Sequence, residues 1–199
     1  MIASAHELQW LRTMPVERPP DCQQENEPVK ATALLSSQHR KVEALFKKLE
    51  NGRVEPGPVL EELANSLAAH MAIEQELFYP AIKSIDADVV NESYEEHALA
   101  ELELKRLLST DPEDEAFQAR VTTLKELIEH HVEEEEEELF PAVEKKVGDE
   151  RLAELGKAMK ARFEEVVAAG FEASVPKGMT RTSSDESKKR AAKRQRSAA

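Results

Sequence analysis

Several residue types are scarce in this chain of 199 residues, and each scarcity excludes a class of structure. Cys22 is the only cysteine, which excludes an intrachain disulfide and a thiolate metal site and favours a reduced compartment. Glycine occurs 6 times, aromatic residues make up 5%, and no segment alternates apolar and polar residues as a half-buried strand does. The sequence shows neither a signal peptide nor an apolar run long enough to span a bilayer. We therefore expect a cytoplasmic protein, built without a sheet, that has no membrane partner.

Charge is abundant but unevenly distributed. The chain carries −13, yet the segment from Val175 onward has eight lysines or arginines against two acids and so carries +6. The remaining body is strongly acidic, which argues against direct contact with nucleic acid. Residues 171–199 have no periodicity and are predicted to be a disordered basic tail. Its basic cluster could contact nucleic acid, although a solubilising role is the favoured interpretation.

The rest of the chain is predicted to be an arm followed by helices. Four prolines interrupt residues 15–28, so residues 1–28 are predicted to be a flexible N-terminal arm. Residues 29–170 are rich in leucine, alanine, glutamate and lysine, which favours helices. Asn51-Gly52 is expected to end the first helix, and Asp111-Pro112 to start the fourth. A fifth helix follows, with an apolar stripe that offers no ligand.

Four histidines in the apolar stripes of these helices are each followed four residues later by a glutamate. The pairs are His39/Glu43, His70/Glu74, His97/Glu101 and His131/Glu135. The stripe of the second helix is Leu63, Leu67, His70, Glu74, Leu77 and Ala81, and that of the third is Val90, Tyr94, His97, Glu101, Leu104 and Leu108. A four-residue step places both side chains on one face of a helix. Because a buried carboxylate is costly unless it is paired or bound to metal, the pattern indicates a metal site inside a helical bundle.

An internal repeat supports this interpretation. The segment His70-x3-Glu74-x-Glu76-x3-Pro80-Ala81 is matched at a constant offset by His131-x3-Glu135-x-Glu137-x3-Pro141-Ala142. His39 and His97 stand in equivalent places on the preceding helices. The repeat predicts two helical hairpins that together bring four histidines to the middle. A single His/Glu pair would be better explained as a satisfied core histidine, whereas four pairs in a repeat favour metal.

The residue types narrow the choice of metal. Imidazoles with carboxylates suit a pair of iron or manganese ions, and zinc remains open. The Glu-x-x-His pattern of ferritin-like bundles and the His-Glu-x-x-His pattern of zincins are both absent. Glu43 is more readily explained as an exposed acid, because Val42 fits the same stripe. His130 flanks His131 and is expected at the surface or beside the site.

The order of these motifs resembles the hemerythrin-like family with its HHE cation-binding domain over about residues 30–170. The resemblance implies an up-down antiparallel four-helix bundle, here with an additional C-terminal helix, around a di-iron centre with an oxo or hydroxo bridge. One iron would bind two histidines and keep an open position, and two glutamates would bridge the pair. The implied metal ligands are His39, His70, Glu74, His97, Glu101, His131 and Glu135.

At one position the chain departs from that family. Its oxygen carriers place a fifth histidine four residues after the third-helix histidine, where this chain has Glu101. An added negative charge favours the ferric state, so easy reversible oxygen carriage is disfavoured. The expected function is a non-haem di-iron protein that binds O2, NO or peroxide, or that senses or handles iron. Two alternatives stay open: an enzyme that removes peroxide or reduces NO, and a metal-responsive interaction protein that acts through its basic tail.

Overall fold

A computed structural model describes residues 29–171. Every regular element in this part of the chain is helical, which confirms the all-helical class there. The helices are α1 Ala31–Asn51, α2 Pro56–Ile73, α3 Tyr79–Ile82, α4 Ala87–Leu108, α5 Ala116–Glu134, α6 Phe140–Val147 and α7 Asp149–Ala169. The predicted N-terminal arm and all but the first residue of the predicted tail lie outside the described residues. None of the described helices combines the length and the apolar character needed to cross a membrane.

Two helix ends illustrate the local signals, and one predicted start differs. Gly52 ends α1 in the left-handed region at φ 60°, which glycine adopts without strain. The Asp86 side chain caps α4 by accepting the N–H of Val89 at 3.2 Å. The predicted start of the next helix at Asp111-Pro112 is wrong. Asp111 instead accepts a backbone N–H within a turn, and α5 begins only at Ala116.

Two apolar clusters hold the helices together on either side of one polar layer. Helix α1 packs against α2, α5 and α7, and α4 packs against α5 and α2. One cluster includes Phe46 and Leu124, and the other includes Phe78 and Phe140. In each of α1, α2, α4 and α5, a buried histidine lies between the residues that belong to one cluster and those that belong to the other. The apolar packing on both sides can therefore support the fold independently of that layer.

The last helix lies close against the start of the first. A Cβ atom added to Gly156 in α7 would lie 2.1 Å from the backbone oxygen of Val29, so only glycine fits there. The Nζ atom of Lys30 donates a hydrogen bond of 2.6 Å to Asp149 at the same contact. Helix α7 is thereby fixed across α1 and α2, outside the polar layer.

Two π-helical turns interrupt the helices at the repeat. The first turn, Glu74–Phe78, joins α2 to α3, and the second, Glu135–Leu139, joins α5 to α6. Each begins at a glutamate of the repeat and ends two residues before its proline. A proline lacks the N–H donor and clashes with the carbonyl group four residues earlier in a regular α-helix. We attribute the widened turns to this constraint, and such turns are frequent at functional sites.

Beyond Glu74, the structure differs from the apolar stripe predicted for the second helix because of the π turn. A line of buried residues at steps of four runs through His70, Glu74, Phe78 and Ile82. In an α-helix, three such steps would drift by about 120°, and a π turn takes up part of that drift. The stripe predicted from sequence is therefore wrong past Glu74, because Ala81 is exposed and Leu77 is only half-buried.

Candidate metal centre

Four histidines converge in the buried layer as two close pairs. The Nε2 atom of His39 lies 3.1 Å from that of His70, and the Nε2 atom of His97 lies 3.0 Å from that of His131. All four side chains are buried. Two imidazole nitrogens at this distance can share only one proton, so each pair directs lone pairs into one small space.

Two glutamates link the histidine pairs. The carboxylate of Glu74 places Oε1 3.2 Å from His70 Nε2 and Oε2 3.3 Å from His97 Nε2. The Oε2 atom of Glu135 lies 3.5 Å from His39 Nε2 and 3.8 Å from His131 Nε2. Each carboxylate thus contacts one histidine of each pair, as a bridging ligand would.

The two carboxylates are completely buried, and most of their oxygens are unsatisfied. Within the described residues, both oxygens of Glu74 and Oε2 of Glu135 have no hydrogen-bond partner. Burying an ionised carboxylate in this way is costly unless a cation compensates it. Ligand atoms bound at about 2.0–2.2 Å to one tetrahedral ion lie about 3.3–3.6 Å apart, close to the distances found here. The residues present therefore fit a pair of metal ions.

The other ring nitrogen of each histidine is held by an outer side chain. The Nδ1 atoms of His39, His70 and His131 lie 2.8 Å from acceptor oxygens, and that of His97 lies 3.0 Å from a side-chain amide. Glu136 is the partner of His39, and Gln38 is the partner of His70. Glu96 is the partner of His131, and Gln75 is the partner of His97. At His39, His70 and His131, an Nδ1–H that donates outward leaves Nε2 unprotonated and directed inward, which is the tautomer that binds metal. At His97 the Gln75 amide nitrogen instead donates to Nδ1.

Sequence reasoning missed these outer residues, although the repeat contains them. Gln38 and Glu96 directly precede the first histidine of each hairpin, and Gln75 and Glu136 directly follow the linking glutamates. The outer partners therefore occupy matching positions in the two halves of the chain. Within the acidic run from 133 to 138, both Glu135 and Glu136 turn toward the centre.

The structure does not bring Glu101 to this cluster. Its side chain is 40% exposed and accepts a hydrogen bond from Lys105 on the next turn. His97, Ala100 and Leu104 are buried on the inward face of α4, so the next inward residue after His97 is Ala100 and not Glu101. A residue one place further is rotated by about 100° around the helix, which carries Glu101 toward the surface.

The phenol of Tyr79 lies beside the second histidine pair instead. Tyr79 is fully buried, its hydroxyl donates a 3.0 Å hydrogen bond to Glu135 Oε1, and it lies 3.3 Å from His97 Nε2. Sequence reasoning did not select this residue. The sequence feature that could have indicated Tyr79 is its position directly before Pro80 of the repeat, where the second copy has Phe140.

Burial and mutual charge shift the protonation of the centre. Burial and the charges of neighbouring histidines lower the pKa of His70 well below 6.5 and that of His97 to about 3. Burial and the charge of Glu135 raise the pKa of Glu74 well above 4.5. Burial opposes the ionisation of Glu135 and of His131, but the surrounding charges together outweigh it. The imidazoles of His131, His39 and His97 lower the pKa of Glu135, and the carboxylates of Glu135, Glu96 and Glu134 raise that of His131. A metal would therefore have to displace protons from Glu74 and His131.

An apolar void adjoins the histidines on one side. Its volume is about 10 Å³, and all four histidines of the centre line it together with side chains such as Val42, Ile128 and Val132. These three apolar residues also line an outer groove of about 270 Å³ between α1 and α5. The arrangement leaves room for a very small ligand next to the histidines and separates that space from the groove by apolar side chains.

Comparison with known proteins agrees with the geometry. A family model described as the hemerythrin HHE cation binding domain matches residues 30–143. The crystal structure of a hemerythrin HHE cation binding domain-containing protein, an Rv2633c homolog from Mycobacterium kansasii, is similar at 29% identity with a TM-score of 0.64. The similarity covers 71% of this chain and 89% of that one.

Two relatives in sequence are more distant. The uncharacterized protein Rv2633c of Mycobacterium tuberculosis is 26% identical over 137 residues, which is 67% of this chain and 84% of that protein. A protein of Nostoc sp. strain PCC 7120 named DNA nickase is 26% identical over 132 residues, or 64% of this chain. The chain spans only 37% of the length of that protein.

The family match covers more than half of the chain and includes every histidine and glutamate of the buried layer. The chain therefore belongs to the hemerythrin HHE cation-binding domain family.

Proposed function

We propose that this protein is a non-haem di-iron protein that binds O2, NO or peroxide, or responds to iron, at the buried centre. The observation that carries the proposal is the position of Glu74 and Glu135, which are fully buried, largely unsatisfied, and each in contact with both histidine pairs. A core of carboxylates without compensating cations would destabilise the fold. Two iron ions would compensate the charge and, when bound, supply redox chemistry and an open coordination position.

Each hairpin would supply one histidine pair. We propose His39 and His70 for one ion and His97 and His131 for the other, with the two glutamates between them. The contacts between α1 and α2 and between α4 and α5 support an up-down antiparallel four-helix bundle in which α7 is the additional helix. Glu101 is left out of the proposed ligand set because its side chain lies outside the layer.

The surrounding residues orient the ligands and exclude water. Glu136, Gln38 and Glu96 accept from Nδ1 of His39, His70 and His131 and so fix the tautomer and orientation of those rings, and Gln75 orients the ring of His97. Tyr79 holds Glu135 in place through its hydroxyl hydrogen bond. Val42, Ile128 and Val132 keep the adjoining void apolar, which favours a small uncharged ligand over bulk water.

Tyr79 favours a second candidate function, an enzyme that removes peroxide or reduces NO. Its hydroxyl proton lies within the layer, 3.0 Å from Glu135 Oε1 and 3.3 Å from His97 Nε2. A proton donor held at this position suits a reaction that consumes protons better than it suits simple ligand binding.

Metal analysis after anaerobic iron loading tests the proposal. We expect about two irons per chain in the wild type, because two histidine pairs share two glutamates. Glu74→Ala and His131→Ala should lose iron, whereas the matched control Glu101→Ala, also a truncation in the bundle, should keep it. A folded wild type without iron, or loss of iron in Glu101→Ala, would contradict the proposal. Comparing peroxide and NO turnover in the wild type and Tyr79→Phe separates the two candidate functions.

A further inference from the structure

The two outer carboxylates of the centre differ in what holds their free oxygen. Glu136 accepts from His39 Nδ1 through one oxygen, and its other oxygen pairs with the guanidinium group of Arg40. Glu96 accepts from His131 Nδ1 through Oε2, and its Oε1 lies 3.6 Å from Nε2 of His130. The Glu136 carboxylate is therefore paired with the permanently charged Arg40, whereas the Glu96 carboxylate faces the imidazole of His130.

A third side chain joins Glu96 and His130 at the surface. The Oε1 atom of Glu134 lies 3.6 Å from His130 Nε2, and one ligand atom from each of the three residues lies within 4.8 Å of the others. His130 and Glu134 are one turn apart on α5, and Glu96 comes from α4. Donor atoms bound to one ion at about 2.0–2.2 Å are about 3.3–3.6 Å apart, which these spacings approach.

The charge around this group favours a cation. Glu92 lies one turn before Glu96 on α4, and Glu138 one turn after Glu134, and the charges of both act on the Glu134 carboxyl. Within the described residues, Glu96 forms ion pairs with two histidines, His130 and His131. A divalent cation would supply at Glu96 the positive charge that Arg40 supplies at Glu136.

We propose that Glu96, His130 and Glu134 form a surface site for a divalent transition-metal cation, coupled to the buried centre through the Glu96 carboxylate. One imidazole with two carboxylates suits Zn²⁺, Fe²⁺ or Mn²⁺, whereas Ca²⁺ and Mg²⁺ prefer oxygen ligands alone. The side chains of His130, Glu134 and Glu96 are 63%, 28% and 14% exposed, so an ion can reach them from solvent.

The shared carboxylate makes the two sites interdependent. A cation on Oε1 of Glu96 withdraws negative charge from Oε2, which accepts the proton of His131 Nδ1. A weaker acceptor makes the His131 ring a poorer donor to a metal at Nε2. Occupancy of the surface site should therefore shift the optical spectrum of an iron-loaded centre, and a filled centre should change affinity at the surface.

Zn²⁺ binding to the full-length chain, measured by equilibrium dialysis, tests the site. In a Glu74→Ala background, which disables the buried centre, we expect about one Zn²⁺ per chain. Adding His130→Ala or Glu134→Gln should abolish it, and adding Glu126→Gln, an exposed glutamate on the same helix, should not. Mg²⁺ at the same concentration should not compete. Zn²⁺ bound at the surface site is measured without iron. The surface site rests on no part of the proposed function in this assay, so its failure is distinguishable from failure of that function.

Circular dichroism of each variant confirms that the helices remain. Unchanged Zn²⁺ binding in His130→Ala, equal loss in Glu126→Gln, or full competition by Mg²⁺ would each overturn the site. The coupling has its own readout in iron-loaded wild type, where Zn²⁺ should shift the optical bands, and in iron-loaded His130→Ala, where it should not. Optical bands of the iron-loaded wild type that do not shift when Zn²⁺ is added would overturn the coupling.

Discussion

Replacing Glu74 with glutamine should stabilise the metal-free protein while destroying its ability to hold metal. Both side-chain oxygens of Glu74 are buried without a hydrogen-bond partner in the described part of the chain. An unsatisfied buried polar group costs about 1–3 kcal/mol, and more when it is charged. Glutamine has nearly the same shape, carries no charge, and can donate an amide N–H to the imidazole nitrogens of His70 or His97.

The expected gain in the free energy of unfolding is about 1–3 kcal/mol, or about 2–12 °C in Tm for a chain of this size. The gain should depend on pH, because the pKa of Glu74 is raised well above 4.5 by burial and by Glu135. A raised folded pKa contributes stability that is fully present below the unfolded value and lost as pH rises through the folded value. The advantage of glutamine should therefore grow from mildly acidic to mildly alkaline pH.

Urea unfolding of chelator-treated protein at several pH values measures this effect. Glu135→Gln is the matched control, because Glu135 accepts a hydrogen bond from Tyr79 and its pKa is lowered by the imidazoles despite burial. The same substitution there removes favourable interactions and should destabilise the protein. With iron present the wild type should become the more stable, since only it binds metal well. Lower metal-free stability of Glu74→Gln, or equal behaviour of both variants, would refute the reasoning.

Three further predictions follow from the described contacts. Tyr79→Phe should lower metal-free stability by about 1 kcal/mol in urea unfolding, because one buried hydrogen bond is lost, and unchanged stability would contradict that bond. Gly156→Ala should destabilise by about 1–3 kcal/mol or more in thermal unfolding, because its Cβ would lie 2.1 Å from the backbone oxygen of Val29, just before α1. Iron affinity measured by dialysis should rise with pH, because Glu74 and His131 have raised pKa values and must lose protons to bind metal. Affinity independent of pH would contradict that protonation pattern.

The layer of histidines could be predicted because its pattern is local and repeated. A four-residue step in an apolar stripe places His70 and Glu74 on one face whatever the rest of the fold does. The second copy at His131 and Glu135 then indicates that the two faces meet. Helix class and the ends at glycines followed from equally local signals.

The errors arise where local periodicity is ambiguous. An inward stripe can advance by three or by four residues, and α4 advances from His97 to Ala100 rather than to Glu101. A π turn adds a residue that no α-helical template contains, so Phe78 and Ile82 take the buried positions expected for Leu77 and Ala81. The outer hydrogen bonds depend on how the two hairpins face one another, which is a tertiary property.

The π turns also determine where the chain can change in length. Five residues separate Glu74 from Pro80, and the same number separates Glu135 from Pro141. Loss or gain of one residue in either interval would rotate the glutamate by about 100° relative to the helix beyond it and remove it from the layer. The exposed turn at residues 111–115 carries no such requirement. Single-codon insertions and deletions should therefore be tolerated there and eliminated by selection in the two intervals between glutamate and proline.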